Sequence, residues 1–235
     1  MGYSQTGERV SLRRLRRRRE RGDDVPDDQG APFSQPKKRS KGAAERDEWL
    51  RLVWSSTIGE LHGHSLVFVD EMGTHTSLAP LYGYSCRGQR TFFKVPRNRG
   101  TNTTVLSSMS LEGMGPSMAV EGSTTKEVFE AYVERFLVPA LRGGQVVVID
   151  NLSAHKGERV RNLIEDKGCA LLYLPPYSPD YNPIEEAFSK VKRFLRRLGA
   201  RTRDALLEAI GTALDEVSAK DAKGFFAHCG YHVLE

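Results

Sequence analysis

Three acidic residues, Asp70, Asp150 and Glu185, have the type and spacing that metal chemistry needs. Asp70 follows the apolar run 66–69, and Asp150 follows the apolar run 146–149, so each is expected where a buried strand ends. Glu185 comes after 34 further residues, in the opening turn of a predicted basic helix. Carboxylates gathered at such positions are the hard oxygen ligands that Mg²⁺ prefers beside phosphate. The pattern predicts an enzyme that acts on the nucleic-acid backbone.

Each acid also has an ordinary structural explanation. A carboxylate after a strand is often a turn former, and the pair Asp150-Asn151 is typical of a turn. Asn182 and Pro183 are good residues for the N-cap and the first position of a helix, which puts Glu185 at the third position, where an acid is favoured without catalysis. Taken singly, the three acids leave both explanations open.

Helical phase separates Glu185 from its neighbour Glu186. One apolar stripe of the predicted helix consists of Ile184, Ala187, Phe188, Val191, Leu195 and Leu198. At roughly 100° per residue, Glu185 lies about 100° from the centre of this stripe and Glu186 nearly opposite it. Glu185 is therefore predicted at the edge of the buried face and Glu186 in water. Lys192 and Arg196 share the flank of Glu185 and are expected to contact DNA.

Two residues that follow Asp150 are further candidates. His155 stands near the start of the next predicted helix, where it could reach a phosphate or a bound water, and Lys156 follows it. Both are predicted to contact DNA. The alternative for the histidine is a packed or solvent-facing side chain.

The positive charge is concentrated at the N-terminus. Residues 1–50 hold 13 Lys and Arg against 9 Asp and Glu, whereas the remainder holds 22 against 21. Residues 1–45 contain too few apolar side chains for a core and are predicted to be a disordered basic arm and linker. Its arginine run includes Arg16, Arg17, Arg18 and Arg19, which are expected to bind DNA phosphates in a salt-dependent way. A solvated tail is the alternative.

The rest of the composition excludes several classes of protein. Of the 235 residues, 39% are hydrophobic, which is enough for a core, but no apolar run is long enough to span a membrane. The three cysteines are odd in number and form no CxxC pair, which argues against disulfides and a thiolate zinc site and for a reducing cytoplasm.

Residues 46–235 are predicted to form one α/β domain. Apolar strands at 146–150 and 170–174 should be covered on both faces. The other predicted strands are 66–70, a meander of two short strands at 81–84 and 91–95, and 103–111. The predicted helices are 45–58, 124–141, 156–167, 183–198 and 202–217.

Three stretches resemble the DDE transposases of the mariner superfamily, in its bacterial insertion-sequence branch. They are 69–74 (VDEMGT), 148–156 (VIDNLSAHK) and 174–185 (LPPYSPDYNPIE). The resemblance implies an RNase H-like mixed sheet flanked by helices, with Asp70, Asp150 and Glu185 as the catalytic and metal-binding triad. It also implies Mg²⁺ as cofactor, with Mn²⁺ as a substitute.

The same resemblance implies a reaction and partners. Transposon ends in double-stranded DNA are nicked by hydrolysis, and the freed 3′-hydroxyl attacks target DNA. A homodimer on paired ends is expected, without membrane attachment, in a bacterial cytoplasm and on the nucleoid when bound to DNA.

Residues 1–45 depart from the family, whose members begin with helix-turn-helix modules that recognise the transposon ends. Either an upstream reading frame supplies these modules or the copy is truncated. Two alternatives to a transposase are another RNase H-like nuclease, such as a resolvase, and a catalytically incomplete remnant that binds DNA non-specifically through its basic arm.

Overall fold

A computed structural model of the chain describes residues 46–92, 94–98, 100–152 and 155–233. Five strands form one mixed sheet in the order β3-β2-β1-β4-β5. They are β1 (Leu66–Thr74), β2 (Thr103–Ser110), β3 (Gly113–Glu121), β4 (Val146–Ile149) and β5 (Ala170–Tyr173). β1, β2 and β3 pair antiparallel, whereas β1, β4 and β5 pair parallel. The predicted α/β mixed sheet is confirmed.

Helices cover both faces of this sheet. They are α1 (Glu48–Glu60), α2 (Lys126–Tyr132), α3 (Val138–Ala140), α4 (Glu158–Asp166), α5 (Pro183–Leu198), α6 (Arg203–Asp215) and α7 (Ala219–His228). A π-helical turn, Val133–Leu137, joins α2 to α3. Within the described residues, no helix has the length and apolar character to cross a membrane.

Strand alternation divides the core into two clusters. Even-numbered residues of β1, such as Phe68 and Met72, pack with β4 residue Val148 against α5, α6, α7 and α1. Odd-numbered residues, such as Val67 and Ile149, pack against α2, the π-helical turn and α4. Because side chains of a strand alternate between its two faces, Asp70 and Asp150 fall on the α5 side of the sheet.

Two elements of the fold, β3 and α7, were not predicted from the sequence. β3 contains Gly113, Gly115 and Pro116, which weaken a strand pattern, but β3 lies at the sheet edge, where proline is tolerated. α7 is short, yet Ser218 and Asp221 form a capping box at its start, a signal that the sequence does contain.

The predicted meander at 81–84 and 91–95 is wrong for the described residues, since none of those between 75 and 102 is in a strand. The described residues of 81–84 and 91–95 are exposed and pair with no strand of the described sheet. Because β-propensity depends on packing, an isolated hairpin of such strands is marginal in water.

α7 closes the α5 face through aromatic contacts. The ring of Phe226 packs edge-on against Phe68 of β1, with 5.2 Å between centroids, and 5.8 Å from Tyr231. Phe226 is fully buried, whereas the preceding Phe225 is half-buried. The two phenylalanines thus differ mainly in how much apolar surface they remove from water.

Phe226→Ala should lower the free energy of unfolding by about 3–5 kcal/mol, because it removes a buried ring and leaves a cavity. Urea unfolding followed by circular dichroism measures the change. Phe225→Ala is the matched control and should cost clearly less. Equal costs for the two variants would mean that α7 does not pack as described.

Candidate active site

The three predicted acids come from three elements and line a single pocket of about 290 Å³. Asp70 lies on β1, Asp150 directly follows β4, and Glu185 lies in the first turn of α5. The parallel register places Val69 beside Ile149, so the two aspartates extend from neighbouring positions of adjacent strands. The structure therefore brings together the three residues that sequence spacing singled out.

Asp70 lies inside its strand, not at the strand end as predicted. β1 continues to Thr74 because residues 71–74 pair with β2. The carboxylate is buried, and both of its oxygens accept hydrogen bonds. The N–H of Glu71 donates to Oδ1 at 2.7 Å, and the side-chain amide of Asn182 donates to Oδ2 at 2.8 Å. Asp70 is therefore fixed in position by its surroundings.

The pKa of Asp70 is raised to about 7. Burial is the largest cause, because it removes water from the charged form, and the negative charges of Glu185 and Asp150 act in the same direction. The N–H of Glu71 opposes the shift. The charges of Glu185 and Asp150 thus act on Asp70.

Asp150 is held by His155. The histidine is buried, its Nδ1–H donates to Oδ1 of Asp150, and its ring stacks on Phe129 with 4.1 Å between centroids. An ionised carboxylate can only accept, so this contact puts the proton on Nδ1. The predicted phosphate contact of His155 stays a prediction, and the structure shows the buried imidazole in contact with Asp150. Lys156 is exposed, with its ammonium 5.9 Å from the centre of the Tyr173 ring.

The two glutamates lie on different sides of α5, but their predicted burial is wrong, because Glu185 is the more exposed of the two. Glu185 is exposed and lines the pocket. Glu186 does not line the pocket, and its carboxylate accepts a hydrogen bond from Nδ1–H of His228. Glu186 is half-buried, whereas the sequence predicted it in water. Lys192 and Arg196 lie further along α5, beside Arg193 and Arg197. Arg16, Arg17, Arg18 and Arg19 lie outside the described residues.

Asn182 has a role that sequence reasoning missed. It occupies the predicted N-cap position of α5, but its side chain makes no capping bond and instead reaches Asp70, 112 residues away in sequence. Its Oδ1 is buried and has no hydrogen-bond partner among the described residues. No local pattern signals such a long-range contact. Tyr177, also at the pocket, has a φ of 53°, a left-handed conformation that is uncommon outside glycine.

The loop before α5 is fastened to both ends of the described fold. Arg51 of α1 donates two hydrogen bonds to Asp180, at 3.0 and 2.6 Å, and its guanidinium lies over the ring of Tyr181. The hydroxyl of Tyr231 donates to the backbone oxygen of Tyr181 at 2.6 Å. Trp54 of α1 in turn donates to that hydroxyl. These contacts set where Asn182 and Glu185 stand relative to the sheet.

The pocket offers carboxylates without a preassembled metal shell. Within the described part of the chain, no three or more His, Cys, Asp or Glu side chains are grouped closely enough to hold an ion. The acids nevertheless share the pocket and raise the pKa of Asp70. The negative charge of these side chains suits a cation. For all three acids to bind one ion, their side chains would have to move closer together.

Residues 65–207 match the family described as DDE superfamily endonuclease. The chain belongs to this family. It is also 30% identical over 120 residues to the Tcb1 transposase of the nematode Caenorhabditis briggsae. The match covers 48% of this chain and 44% of that protein, so the chain spans less than half the length of this relative.

Solved structures of the Mos1 mariner transposase share the fold. The Mos1 strand transfer complex has a TM-score of 0.62 at 16% identity, covering 84% of this chain and 64% of that one. The paired-end complex with Mn has a TM-score of 0.60 at 15% identity, covering 83% and 64%. The paired-end complex with Mg has a TM-score of 0.50 at 17% identity, covering 85% and 68%. These similarities confirm the predicted RNase H-like fold.

Asp70→Asn should stabilise the metal-free protein at neutral and higher pH. The carboxyl ionises near pH 3.8 in the unfolded chain and near 7 in the folded one, so the unfolded state alone releases a proton between these values. The contribution of the Asp70 carboxyl to the free energy of unfolding is complete below about pH 4. It is lost as pH rises to about 7, and the loss is on the order of 4 kcal/mol. Removing the charge should recover much of it.

Thermal unfolding with a chelator, at pH 4, 6 and 8, measures the effect. The gain in melting temperature for Asp70→Asn should grow with pH. Asp166→Asn, at an exposed aspartate that ends α4, should show no such growth. If Asp70→Asn melts below wild type at pH 8, the charged carboxyl of Asp70 does not destabilise the fold.

Proposed function

We propose that this chain is the catalytic part of a transposase that cleaves DNA at transposon ends and joins the freed ends to target DNA. The observation that supports this most directly is the convergence of Asp70, Asp150 and Glu185 on one pocket. Membership of the DDE endonuclease family and similarity to the Tcb1 transposase point the same way. We also propose the bacterial insertion-sequence branch, a cytoplasmic location and the domain boundary near residue 45.

Mg²⁺, or Mn²⁺ in its place, is the proposed cofactor, held by Asp70, Asp150 and Glu185. The donor chemistry fits, because carboxylate oxygens are hard ligands and a bound cation would stabilise the charged form of Asp70, whose pKa is raised by burial and by the charges of Glu185 and Asp150. The unpartnered Oδ1 of Asn182 is a further oxygen at the same pocket. When bound, divalent ions activate the attacking oxygen and stabilise the leaving oxygen of a phosphate.

Two bond exchanges make up the proposed reaction. In the first, a water oxygen bonds to phosphorus while the bond between phosphorus and O3′ breaks, which leaves a 3′-hydroxyl and a 5′-phosphate. In the second, that 3′-hydroxyl attacks a target phosphate and displaces the target's own 3′-oxygen, which takes up a proton. Neither exchange needs a nucleophilic side chain.

The protein residues keep the carboxylates in place for these exchanges. Asn182 and the N–H of Glu71 orient Asp70, and His155 orients Asp150. Glu185 is exposed on the helix and is free to approach the two aspartates. Two aspartates are thus positioned in advance, and the glutamate completes the site.

Double-stranded DNA, both as transposon ends and as target, is the proposed partner. Lys192 and Arg196 continue from Glu185 along α5, and Lys156 is exposed beyond Asp150. Cationic side chains on this side would bind backbone phosphates and position the strand. We propose a homodimer that holds two ends together.

Cleavage of DNA that carries the element's own ends tests the triad. With Mg²⁺, Asp150→Ala and Glu185→Gln should each lower the cleavage rate about a hundredfold or more, because a lost ligand removes several kcal/mol of charge stabilisation. Strand transfer, measured as joined product, should fall in parallel. Melting temperatures establish that the variants remain folded.

Glu186→Gln is the matched control, since Glu186 neighbours Glu185 on α5 but contacts His228. It should cleave at nearly the wild-type rate. Equal rates for wild type and Asp150→Ala would overturn the triad. DNA binding without any cleavage, in wild type and variants alike, would favour the non-catalytic remnant.

The basic arm is tested by removing residues 1–41. If its arginines bind phosphates, the truncated protein should bind duplex DNA more weakly at low salt, and its affinity should depend less steeply on salt by about 0.9 per lost phosphate contact. Fluorescence anisotropy over a salt series measures both quantities. An unchanged affinity and slope would identify the arm as a solvated tail.

A further inference from the structure

A second and larger pocket lies along α5, away from the three acids. Its volume is about 490 Å³, within the ~300–1,000 Å³ range of pockets that hold small organic ligands. Leu81 and Tyr82, from the irregular segment between β1 and β2, form one wall. The other wall is formed by Lys192, Arg193, Arg196 and Arg197 of α5. This pocket is called the α5 groove below.

The positive charge of the α5 groove is not neutralised. Among the described residues, no acidic side chain forms an ion pair with any of its four cations. By contrast, Lys190 on another flank of α5 pairs with Asp221 at 2.8 Å. The segment that forms the opposite wall contributes no acid, because positions 72–111 hold five Lys and Arg and no Asp or Glu. The groove therefore favours an anionic ligand.

The aromatic ring of Tyr82 stands in water beside these cations. Tyr82 is 91% exposed, and Tyr84 and Phe92 of the same segment are also almost fully exposed. A ring in this state has its face free for a partner. Cations next to exposed aromatic faces are the combination by which proteins bind unpaired nucleic-acid strands, because bases stack on the rings while phosphates meet the charges.

The segment is held beside α5 at its base. Nη1 of Arg201, just after α5, donates to the backbone oxygens of Thr76 and Leu78, both at 2.8 Å. These bonds fix the start of the segment only two residues before Pro80, where the groove wall begins. The start of the segment that carries Tyr82 is thus held next to the end of α5.

We propose that the α5 groove binds an unpaired nucleotide of DNA, with the base against Tyr82 and the phosphate among the arginines of α5. Bases inside a duplex are already stacked, so an exposed ring selects an unpaired one. The inference rests on the proposed function, since the nucleotide would belong to the strand that reaches Glu185. Glu185 and Arg196 are about 16 Å apart along the helix, at ~1.5 Å per residue. The duplex rise of ~3.4 Å per nucleotide makes this about five nucleotides.

Binding of short single strands in the presence of a chelator tests the proposal. One probe is a labelled strand of about ten thymidines, and the other is an abasic strand of equal length and charge. Wild type should bind the thymidine strand at least about fivefold more tightly, the contribution of one stacked base. Tyr82→Ala should bring this ratio close to one, and Tyr82→Phe should keep it.

The cations are tested with the same probes. A double variant, Arg193→Gln with Arg196→Gln, should weaken binding of both strands and reduce the salt dependence by about 0.7 per lost contact. The double variant Arg159→Gln with Arg161→Gln, at two exposed arginines of α4, is the charge-matched control and should change binding much less. Tyr84→Ala is the control within the segment, because Tyr84 does not line the groove.

Several results would overturn the proposal. A ratio in Tyr82→Ala equal to that of wild type excludes stacking on Tyr82, and an equal loss in Tyr84→Ala excludes the groove as its location. If Tyr82→Ala loses self-association but keeps the wild-type ratio of affinities for the two strands, the α5 groove binds a second copy of the chain instead of a nucleotide. These measurements need no metal, so a failed cleavage assay would leave them intact.

Discussion

Parallel pairing of β1 with β4 sets Leu66 beside Val146 and Val69 beside Ile149, and the candidate site depends on this register. It puts the even-numbered residues of both strands on the side that α5 covers, so Asp70 and Asp150 face the same space as Glu185. A shift of one residue in either strand would turn its aspartate to the opposite side. The apolar residues of these strands, which pack into both core clusters, therefore hold the carboxylates together against their mutual repulsion.

The three acids are held in place to different degrees by their neighbours. Asp70 is buried and fully hydrogen-bonded, Asp150 is clamped by a buried histidine, and Glu185 remains exposed on a helix. Two carboxylates are thus fixed by their neighbours, and the third is exposed to solvent. The buried charge weakens the fold without an ion, which is the usual conflict between stability and activity at a functional site.

Much of this arrangement could be predicted from the sequence because its signals are local. β4 and β5 are short continuous apolar runs, and the apolar stripe of α5 repeats with helical periodicity, which placed Glu185 and Glu186 on different sides of the helix. The failures have physical causes as well. β3 was hidden by glycine and proline, and the strands expected at 81–84 and 91–95 had β-forming residues, but their described residues pair with no strand of the described sheet. The contact between Asn182 and Asp70 joins residues too far apart in sequence for any local pattern.

The fastening of the loop before α5 has a consequence for how such a protein can lose its function. Arg51, near the beginning of the described fold, bonds to Asp180 and lies over the ring of Tyr181, and Tyr231, near its end, bonds to the backbone of Tyr181. An in-frame deletion that removes Arg51, or a frameshift that removes Tyr231, would loosen the loop from which Glu185 starts while every acid is still encoded. A gene copy that has lost either contact would therefore keep the three acids in its sequence without holding Glu185 in its place.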